Sequence, residues 1–405
     1  MNNNFNIPNL RHLRAIVEVV HTGSITKASE VVFLSQPAIT QAISKLENNI
    51  NCELFERLTD GMHPTKQGKA FAFRIERALE LISQGISQSL KAGTGQRKTI
   101  VQRYLFNITT TQLKALVAVS DGQSFTEASR ILGVSQSSVY RSSKDLESIL
   151  DITLFEKTST GISISKAGKF FVKAVKLAFI EIKQGVEEVT LCDNIVSSVI
   201  NIGCLPLART CLLPKTVNQF LDTCPDCSIN IIDGPYNNLL DKLRNGDIDI
   251  LIGALRFPSP YTDIRQETLF QAENKIVGRF DHPLLSQKLV IDDLQKASWV
   301  VYGKNSPARS MFESIFTEQD LEIPTRLIEA SSQVLIREIL LGSDRLALLS
   351  EHQIERELKD QQFAILPFNS GKQVRPIGLT LRKNWYATET QNQFLQQLRV
   401  NGVQL

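Results

Sequence analysis

The first half of the chain repeats itself, without a gap, at a spacing of 100 residues. Leu13, Ala15, Val17 and Val19 recur as Leu113, Ala115, Val117 and Val119, and Ser24, Thr26, Ala28 and Ser29 as Ser124, Thr126, Ala128 and Ser129. The match continues through Ser35-Gln36 and Ser135-Gln136, Leu46-Glu47 and Leu146-Glu147, and Leu54-Phe55-Glu56 and Leu154-Phe155-Glu156. It ends with Lys66, Gly68 and Lys69 against Lys166, Gly168 and Lys169. Chance does not produce such spacing, and the shared positions show what the repeated unit needs.

Each copy parses the same way. Leu10, Leu13, Ile16, Val17 and Val20 form a helical stripe, and Ser24 caps a short second helix through Ala28 and Val31. A tight turn leads to Ser35, a good N-cap, with Pro37 in the first turn, where a missing N–H costs nothing. In the helix that follows, Ile39, Ile43 and Leu46 face inward, leaving Gln36, Thr40, Gln41 and Ser44 outside. Glu53 to Thr65 alternates around a turn at Asp60-Gly61, as a two-stranded wing would, and Lys66 opens a long helix. The pattern is that of a winged helix-turn-helix. The uncharged polar face suits base edges, since Gln can bond adenine bidentately and Ser or Thr can reach several edges; the alternative is an amphipathic helix with a solvated face. Arg57 in the first wing and Lys157 in the second can reach phosphate or the minor groove, or be solvated surface bases.

Charge is distributed to match. Lys and Arg exceed Asp and Glu by 23 to 17 in residues 1–190, while the remainder carries 22 against 25. That mild basic bias suits a polyanion on the N-terminal half but is far below that of a non-specific DNA coater. A length of 405 residues predicts two to three domains. The start of the chain has no signal-peptide pattern and no apolar run reaches 18 residues, so a cytoplasmic protein with no membrane partner is expected.

Leu10 to Phe71 closely resembles the DNA-binding domain of LysR-type transcriptional regulators. The resemblance rests on Gly23-Ser24-Ile25-Thr26-Lys27-Ala28-Ser29, Leu34-Ser35-Gln36-Pro37-Ala38-Ile39-Thr40, Leu46-Glu47 and Leu54-Phe55-Glu56-Arg57. It implies that the helix from Gln36 reads operator DNA, through Ser35, Gln36, Pro37, Ala38, Thr40 and Gln41. It also implies that the long helix from about Lys66 to Leu90, with its stripe of Leu79, Ile82 and Ile86, pairs with another subunit to give a homodimer or homotetramer. RNA polymerase is a further expected partner. A family member carries one such domain, whereas this chain has two.

The second copy departs where it matters. Pro37 and Ala38 become Ser137 and Ser138, and Ala42-Ile43 becomes Ser142-Ser143, which puts Ser143 at a core-facing position. A buried hydroxyl there costs stability unless it finds a partner. Ser135, Gln136, Ser137, Tyr140 and Arg141 are its DNA-facing candidates, with Lys144 beside them. The charged face favours DNA contact and the weakened core a scaffold or dimer role. Lys91 to Lys98 is a short linker, and a second long helix, about Ala167 to Glu188, repeats the linker role.

From Val199 the period changes. Strands at Val199–Ile202, Ser228–Ile232 and Ile248–Ile252 alternate with helices at Cys211–Leu221 and Leu239–Arg244, a βαβαβ pattern that predicts a parallel α/β sheet. Further strands are expected at Lys275–Gly278, Trp299–Tyr302, Arg326–Glu329, Arg345–Leu349 and Ile377–Leu381, with helices at Ala308–Phe316, Val334–Leu341 and Thr388–Arg399. The order is similar to the effector domain of the same family, two α/β lobes like a periplasmic solute-binding protein. The matching stretches are Leu243 to Gly253, His282-Pro283-Leu284 and Gly342 to Ser350. The domains expected are thus residues 1–95, 96–196 and 197–405, the last with crossings between lobes near 275–281 and 367–377.

By that resemblance the effector loops include Leu205, Pro206 and Arg209; Tyr236 and Asn237; Gly253 and Leu255; Ser306 and Arg309; and Ser331, Ser332 and Gln333. Helix N-termini and loop amides in such a cleft suit a small anion, such as a carboxylate. Cys224-Pro-Asp-Cys227 has the spacing of a redox pair, but it lies before a strand and has no second pair nearby for zinc. Two small buried residues are the expectation and a redox-sensing regulator the alternative. Among enzymatic motifs there is no nucleophile elbow, Walker loop or His-rich metal spacing, so neither catalysis nor a cofactor is expected. A transported-solute receptor would not carry DNA-binding repeats.

Overall fold

Four serines cap the second and third helices of the two repeats. Ser24, Ser35, Ser124 and Ser135 each accept a hydrogen bond from a backbone N–H of the following first turn, those of Lys27, Ala38, Thr126 and Ser138. The structure, a computed structural model, describes residues 7–59, 61–93, 101–159, 161–190, 198–304, 306–369 and 374–405. It comprises two compact units, Met1–Ser198 and Val199–Leu405.

In the first unit, α1 (Leu10–Thr22), α2 (Ile25–Val32), α3 (Gln36–Ile50), β1 (Phe55–Leu58), β2 (Gly61–Pro64) and α4 (Lys66–Gly93) make the first copy. After α5 (Val101–Asn107), the second copy is α6 (Thr110–Gly122), α7 (Phe125–Leu132), α8 (Gln136–Leu150), β3 (Phe155–Thr158), β4 (Gly161–Ile164) and α9 (Lys166–Thr190). Each wing is an antiparallel pair. Asp60 of the expected wing turn, and most of the expected linker, lie outside the described residues.

The two long helices pack on each other. Phe71, Ile75, Ala78, Ile82 and Ile86 of α4 are buried in the same core as Phe171, Val175, Ala178, Ile182 and Val186 of α9, the same five repeat positions. A Cβ added at Gly85 would lie 2.4 Å from Ala174 Cβ, and one at Gly185 would lie 2.9 Å from Arg74 Cβ. Positions 85 and 174 thus meet as 185 and 74 do, the reciprocal pattern of a two-fold interface. The apolar stripe was legible, but its partner differs from the expectation: α4 buries it against α9 of the same chain, not against another subunit.

One buried charge network breaks the symmetry. Arg74, fully buried, donates through Nη1 to Glu181 (2.8 Å) and Gln184 (3.3 Å), through Nε to Glu188 (3.0 Å), and through Nη2 to the other Glu188 oxygen. Arg77 closes on Glu181 through Nε and Nη2 at 3.1 and 2.8 Å. Removing one partner of such a network leaves an uncompensated buried charge, which costs about 3–5 kcal/mol.

The second unit is one nine-stranded sheet shared by two lobes. Its elements are β5 (Val199–Cys204), α10 (Leu212–Thr223), β6 (Ser228–Asp233), α11 (Tyr236–Asn245), β7 (Ile250–Ala254), β8 (Ile264–Arg279), α12 (Ile291–Lys296), β9 (Ser298–Val301) and α13 (Pro307–Thr317). Then come β10 (Leu327–Glu329), α14 (Gln333–Leu341), β11 (Arg345–Ser350), α15 (Glu351–Lys359), β12 (Phe363–Ile365), β13 (Val374–Arg382) and α16 (Glu389–Val403). The strand order is β10-β9-β11-β8-β13-β7-β5-β6, with β12 on β8. The short strands pair in parallel as expected, β5 with β6 and β7, and β9 with β10 and β11. The long strands β8 and β13 are antiparallel to their neighbours and join the lobes. On β8 the change of lobe falls at Glu273, still paired with Val374, and Asn274, already paired with Ser350, just ahead of the expected 275–281. Residues 370–373 of the second expected crossing lie outside the described residues. No helix of the described residues is long and apolar enough to cross a membrane.

Candidate nucleic-acid interface and effector cleft

On α3, Ser35, Gln36, Pro37 and Gln41 are exposed, while Ala38 and Thr40 are half-buried. The Thr40 hydroxyl donates to the Gln36 carbonyl (3.0 Å), so it faces outward as an acceptor. Glu47 ties this helix to its wing: one carboxylate oxygen accepts from the amides of Leu54 (2.8 Å) and Phe55 (3.1 Å), which places exposed Arg57 two residues further on. Glu147 does the same for Leu154 and Phe155 (2.7 and 3.0 Å), ahead of exposed Lys157. The recurrence of Leu-Glu and Leu-Phe in both copies is therefore a clamp between reading helix and wing.

The second face is built from different groups. Ser135, Gln136, Ser137, Tyr140 and Arg141 are all exposed. Ser135 shares its hydroxyl with those of Ser137 (3.0 Å) and Ser138 (2.8 Å), and Tyr140 packs edge-on to Phe125 with Lys144 over its ring. Ser143 is fully buried and its hydroxyl has no partner among the described residues. The short α5, unmarked by any sequence signal, sits against the first copy, where Phe106 meets Phe33 edge-to-face and carries the Arg14 guanidinium 3.6 Å above its ring.

In the second unit, the loop after β5 turns as a short 3-10 helix at Pro206–Arg209, with the Leu205 amide bonded to Ile252 (2.9 Å). Gly253, at φ +153, lies so close beneath it that a Cβ would sit 2.4 Å from that of Leu205. Arg209 reaches the Cys204 carbonyl (3.3 Å) and Asp233 (3.1 Å). Ser306 and Ser332 cap α13 and α14, and Ser331 and Asn237 are exposed. Arg309, the other expected cation, is buried and already paired with Glu313 at 2.6 Å.

Four groups that the sequence reading passed over converge on this cleft. Tyr302 donates to Gln333 (3.0 Å), and Gln353 donates to both Tyr302 and Gln333 (3.2 Å each). Burial pushes the Tyr302 phenol up in pKa, against the bond from Gln353 and the nearby positive charges of Arg375 and Arg209. Arg375, on β13, is itself lowered by burial, with Tyr302 opposing and Arg256 reinforcing. Arg256 stacks 4.6 Å from the Tyr236 ring, and Leu255 before it bonds to Pro376 (3.0 Å). The Nε atoms of Arg256 and Arg375 and the hydroxyl of Tyr236 are buried with no partner among the described residues.

Both halves match known families. The profile described as "Bacterial regulatory helix-turn-helix protein, lysR family" matches twice, at residues 10–69 and 110–169, and "LysR substrate binding domain" matches residues 195–401. The HTH-type transcriptional regulator GalR of Pseudomonas putida is 31% identical over 376 residues, 93% of each chain. The chain belongs to the LysR family of bacterial transcriptional regulators. PcaQ of Agrobacterium fabrum, a second regulator, is 29% identical but covers only 67% of this chain and 87% of its own. Among solved structures, ArgP of Mycobacterium tuberculosis (TM-score 0.59, 16% identity) and full-length OxyR of Pseudomonas aeruginosa (TM-score 0.54, 21% identity) share the fold. Each covers 72% of this chain while nearly all of its own length is used, 96% and 93%.

For a LysR-type regulator, this chain is thus longer by about one reading unit. The GalR alignment is long enough that it must run through both copies. Cys224 and Cys227 are half-buried, not buried as expected, because they form the turn between α10 and β6, the amide of Cys227 bonding the carbonyl of Cys224. Neither thiol is in a disulfide; Cys224 donates to the Gln393 side chain (3.5 Å) and Cys227 to the Ser228 carbonyl (3.7 Å), and no metal-binding cluster of His, Cys, Asp or Glu exists among the described residues.

Proposed function

We propose that this regulator reads operator DNA with Ser35, Gln36, Pro37, Ala38, Thr40 and Gln41 of α3, aided by Arg57, and that a small organic anion with at least two acceptor groups is its effector. The anion lies between the lobes of the second unit against Arg375, Arg256, Tyr302 and Gln333, with Arg209, Tyr236 and the Gly253 loop beside them. The observation that carries this reading is the pair of guanidinium Nε atoms, Arg256 over the Tyr236 ring and Arg375 near Tyr302, buried without a partner among the described residues. Buried cations are costly unless paired, and a carboxylate supplies the missing acceptors bidentately. Arg309, held by Glu313, is left out of this site. The domain bounds that follow are residues 1–95, 96–196 and 197–405.

The chain works as a switch and not as a catalyst. An anion that binds one arrangement of the lobes more tightly shifts the population toward it, and the altered packing changes how the readers meet DNA. Calorimetry with a panel of aliphatic and aromatic carboxylates tests the effector: Arg375→Gln should weaken the binding anion at least tenfold while bare-operator affinity is unchanged. Gln36→Ala tests the reader, and should weaken operator binding more than binding to random DNA. Unchanged anion affinity in Arg375→Gln, or equal losses on both DNAs, would refute the respective half.

A further inference from the structure

We infer that one chain is by itself a complete two-headed reader, in which α4 and α9 do within a molecule what paired linker helices of two subunits do between molecules, and that its target is one site with two unlike halves. This rests on the DNA-binding reading above and goes beyond it. The near-two-fold relation is explicit in three pairs: Gly85 over Ala174 and Phe171, Gly185 over Arg74 and Phe71, and the Leu10 amide bonded to Thr110, one repeat away.

The charges select this pairing over the others. Arg74 meets Glu181, Gln184 and Glu188 on α9. The corresponding residues of α4 are Leu81, Gln84 and Gln88, so an α4–α4 pair would bury Arg74 with no carboxylate. The counterparts of Arg74 and Arg77 in the second copy are Ala174 and Leu177, so an α9–α9 pair would bury Glu181 with no cation. Each like pair strands a charge and only the mixed pair satisfies both. The faces presented also differ: Gln36, Pro37, Ala38, Thr40 and Gln41 on one head, Gln136, Ser137, Ser138, Tyr140 and Arg141 on the other. Two identical subunits impose a palindrome on DNA, whereas two unlike heads in one chain do not.

The test uses the full chain. A Cβ built at Gly93 lies 3.6 Å from the Cβ of Ala167, within the span of a disulfide. The Gly93→Cys, Ala167→Cys chain, oxidised and run in non-reducing denaturing electrophoresis beside each single variant, should give a cross-linked species of monomer size that still protects the wild-type operator. Covalent dimers specific to the double variant would overturn the inference. In wild type, native mass spectrometry of the operator complex should count one chain per pair of half-sites, and one chain per half-site would overturn it. Footprints complete the test: Gln36→Ala and the double variant Gln136→Ala, Arg141→Ala should erode opposite halves of one site, and an operator rebuilt as a palindrome of the first half should bind at least tenfold more weakly. A palindrome bound as tightly, or a second-head variant with an intact footprint, would refute the unlike halves. Absence of any specific footprint in wild type would instead refute the DNA-binding reading itself.

Discussion

The amide of Leu10 donates to the hydroxyl of Thr110 across 3.0 Å, and that hydroxyl in turn donates to the carbonyl of Pro8. The two residues occupy the same position in successive copies, and a residue can touch its own counterpart only beside the axis relating them. Thr110→Ala should therefore loosen the pairing of the copies. It leaves the buried Leu10 amide unpaired, costing about 1–3 kcal/mol in chemical denaturation. Thr110→Ser, which keeps the hydroxyl, should recover most of the loss; if it does not, the bond has no part in the pairing.

Arg74→Met should destabilise the first unit by about 3–5 kcal/mol, because Glu188 and one side of Glu181 lose their cation while remaining packed. Adding Glu181→Leu and Glu188→Gln should restore part of that stability, since no carboxylate of the network is then left without its cation, while Arg77, a quarter exposed, gives up its ion pair to water. Thermal melts of the single and triple variants decide it.

Glu47→Ala removes the acceptor shared by the Leu54 and Phe55 amides and frees the wing from the reading helix. Bonds to a charged acceptor contribute about 1.5–3 kcal/mol each, so the melting temperature should fall. Hydrogen exchange should rise first at these two amides. Protection unchanged at Leu54 and Phe55 would show that the wing is held otherwise.

Ser143→Ala should stabilise the protein by about 1 kcal/mol or more, as it removes a fully buried hydroxyl without a partner and adds no bulk. Ser143→Ile, which copies Ile43 of the first copy, risks overpacking a core that has closed around serine. Denaturation midpoints of both variants against wild type measure the difference.

Burial pushes the Cys204 thiol up to about 12 from an ordinary 9.0, with Arg209 only partly opposing. The folded chain therefore holds this proton more tightly than the unfolded one. That contribution to stability is complete below pH 9.0 and is lost as the pH rises toward about 12. Cys204→Ala should flatten this alkaline loss, which urea denaturation at pH 8 and pH 10 would reveal as a smaller drop than in wild type. Cys224 and Cys227, half-buried in their turn, should alkylate before Cys204 does.

What the sequence disclosed follows from how local each signal was. The caps, the stripes of α3 and α4, the wings and the short parallel strands rest on neighbours a few residues apart, and they stand where the periodicity placed them. Ser143 was legible because its counterpart is Ile43. The partner of α4 was not, since a stripe records that a face is buried and not what covers it; only the differing charges at positions 74 and 181 held a hint. In the cleft, Arg256 directly follows the Gly253–Leu255 loop chosen by resemblance, while Arg375 lies on β13, more than a hundred residues further along the chain. Nothing near Arg375 in sequence marks its buried Nε as lacking an acceptor among the described residues, whereas Glu313, one helical turn after Arg309, is a local signal that this cation already has a partner.

In chain order α9 is the last element before the second unit, whereas α4 ends at Gly93 beside Ile152 and Ala167 of the second copy. Each polypeptide therefore carries one substrate-binding domain for two helix-turn-helix domains. On the two-headed arrangement we propose, a half-saturated assembly of such chains cannot leave the two heads of a pair with different ligand states, because both answer to the same occupant.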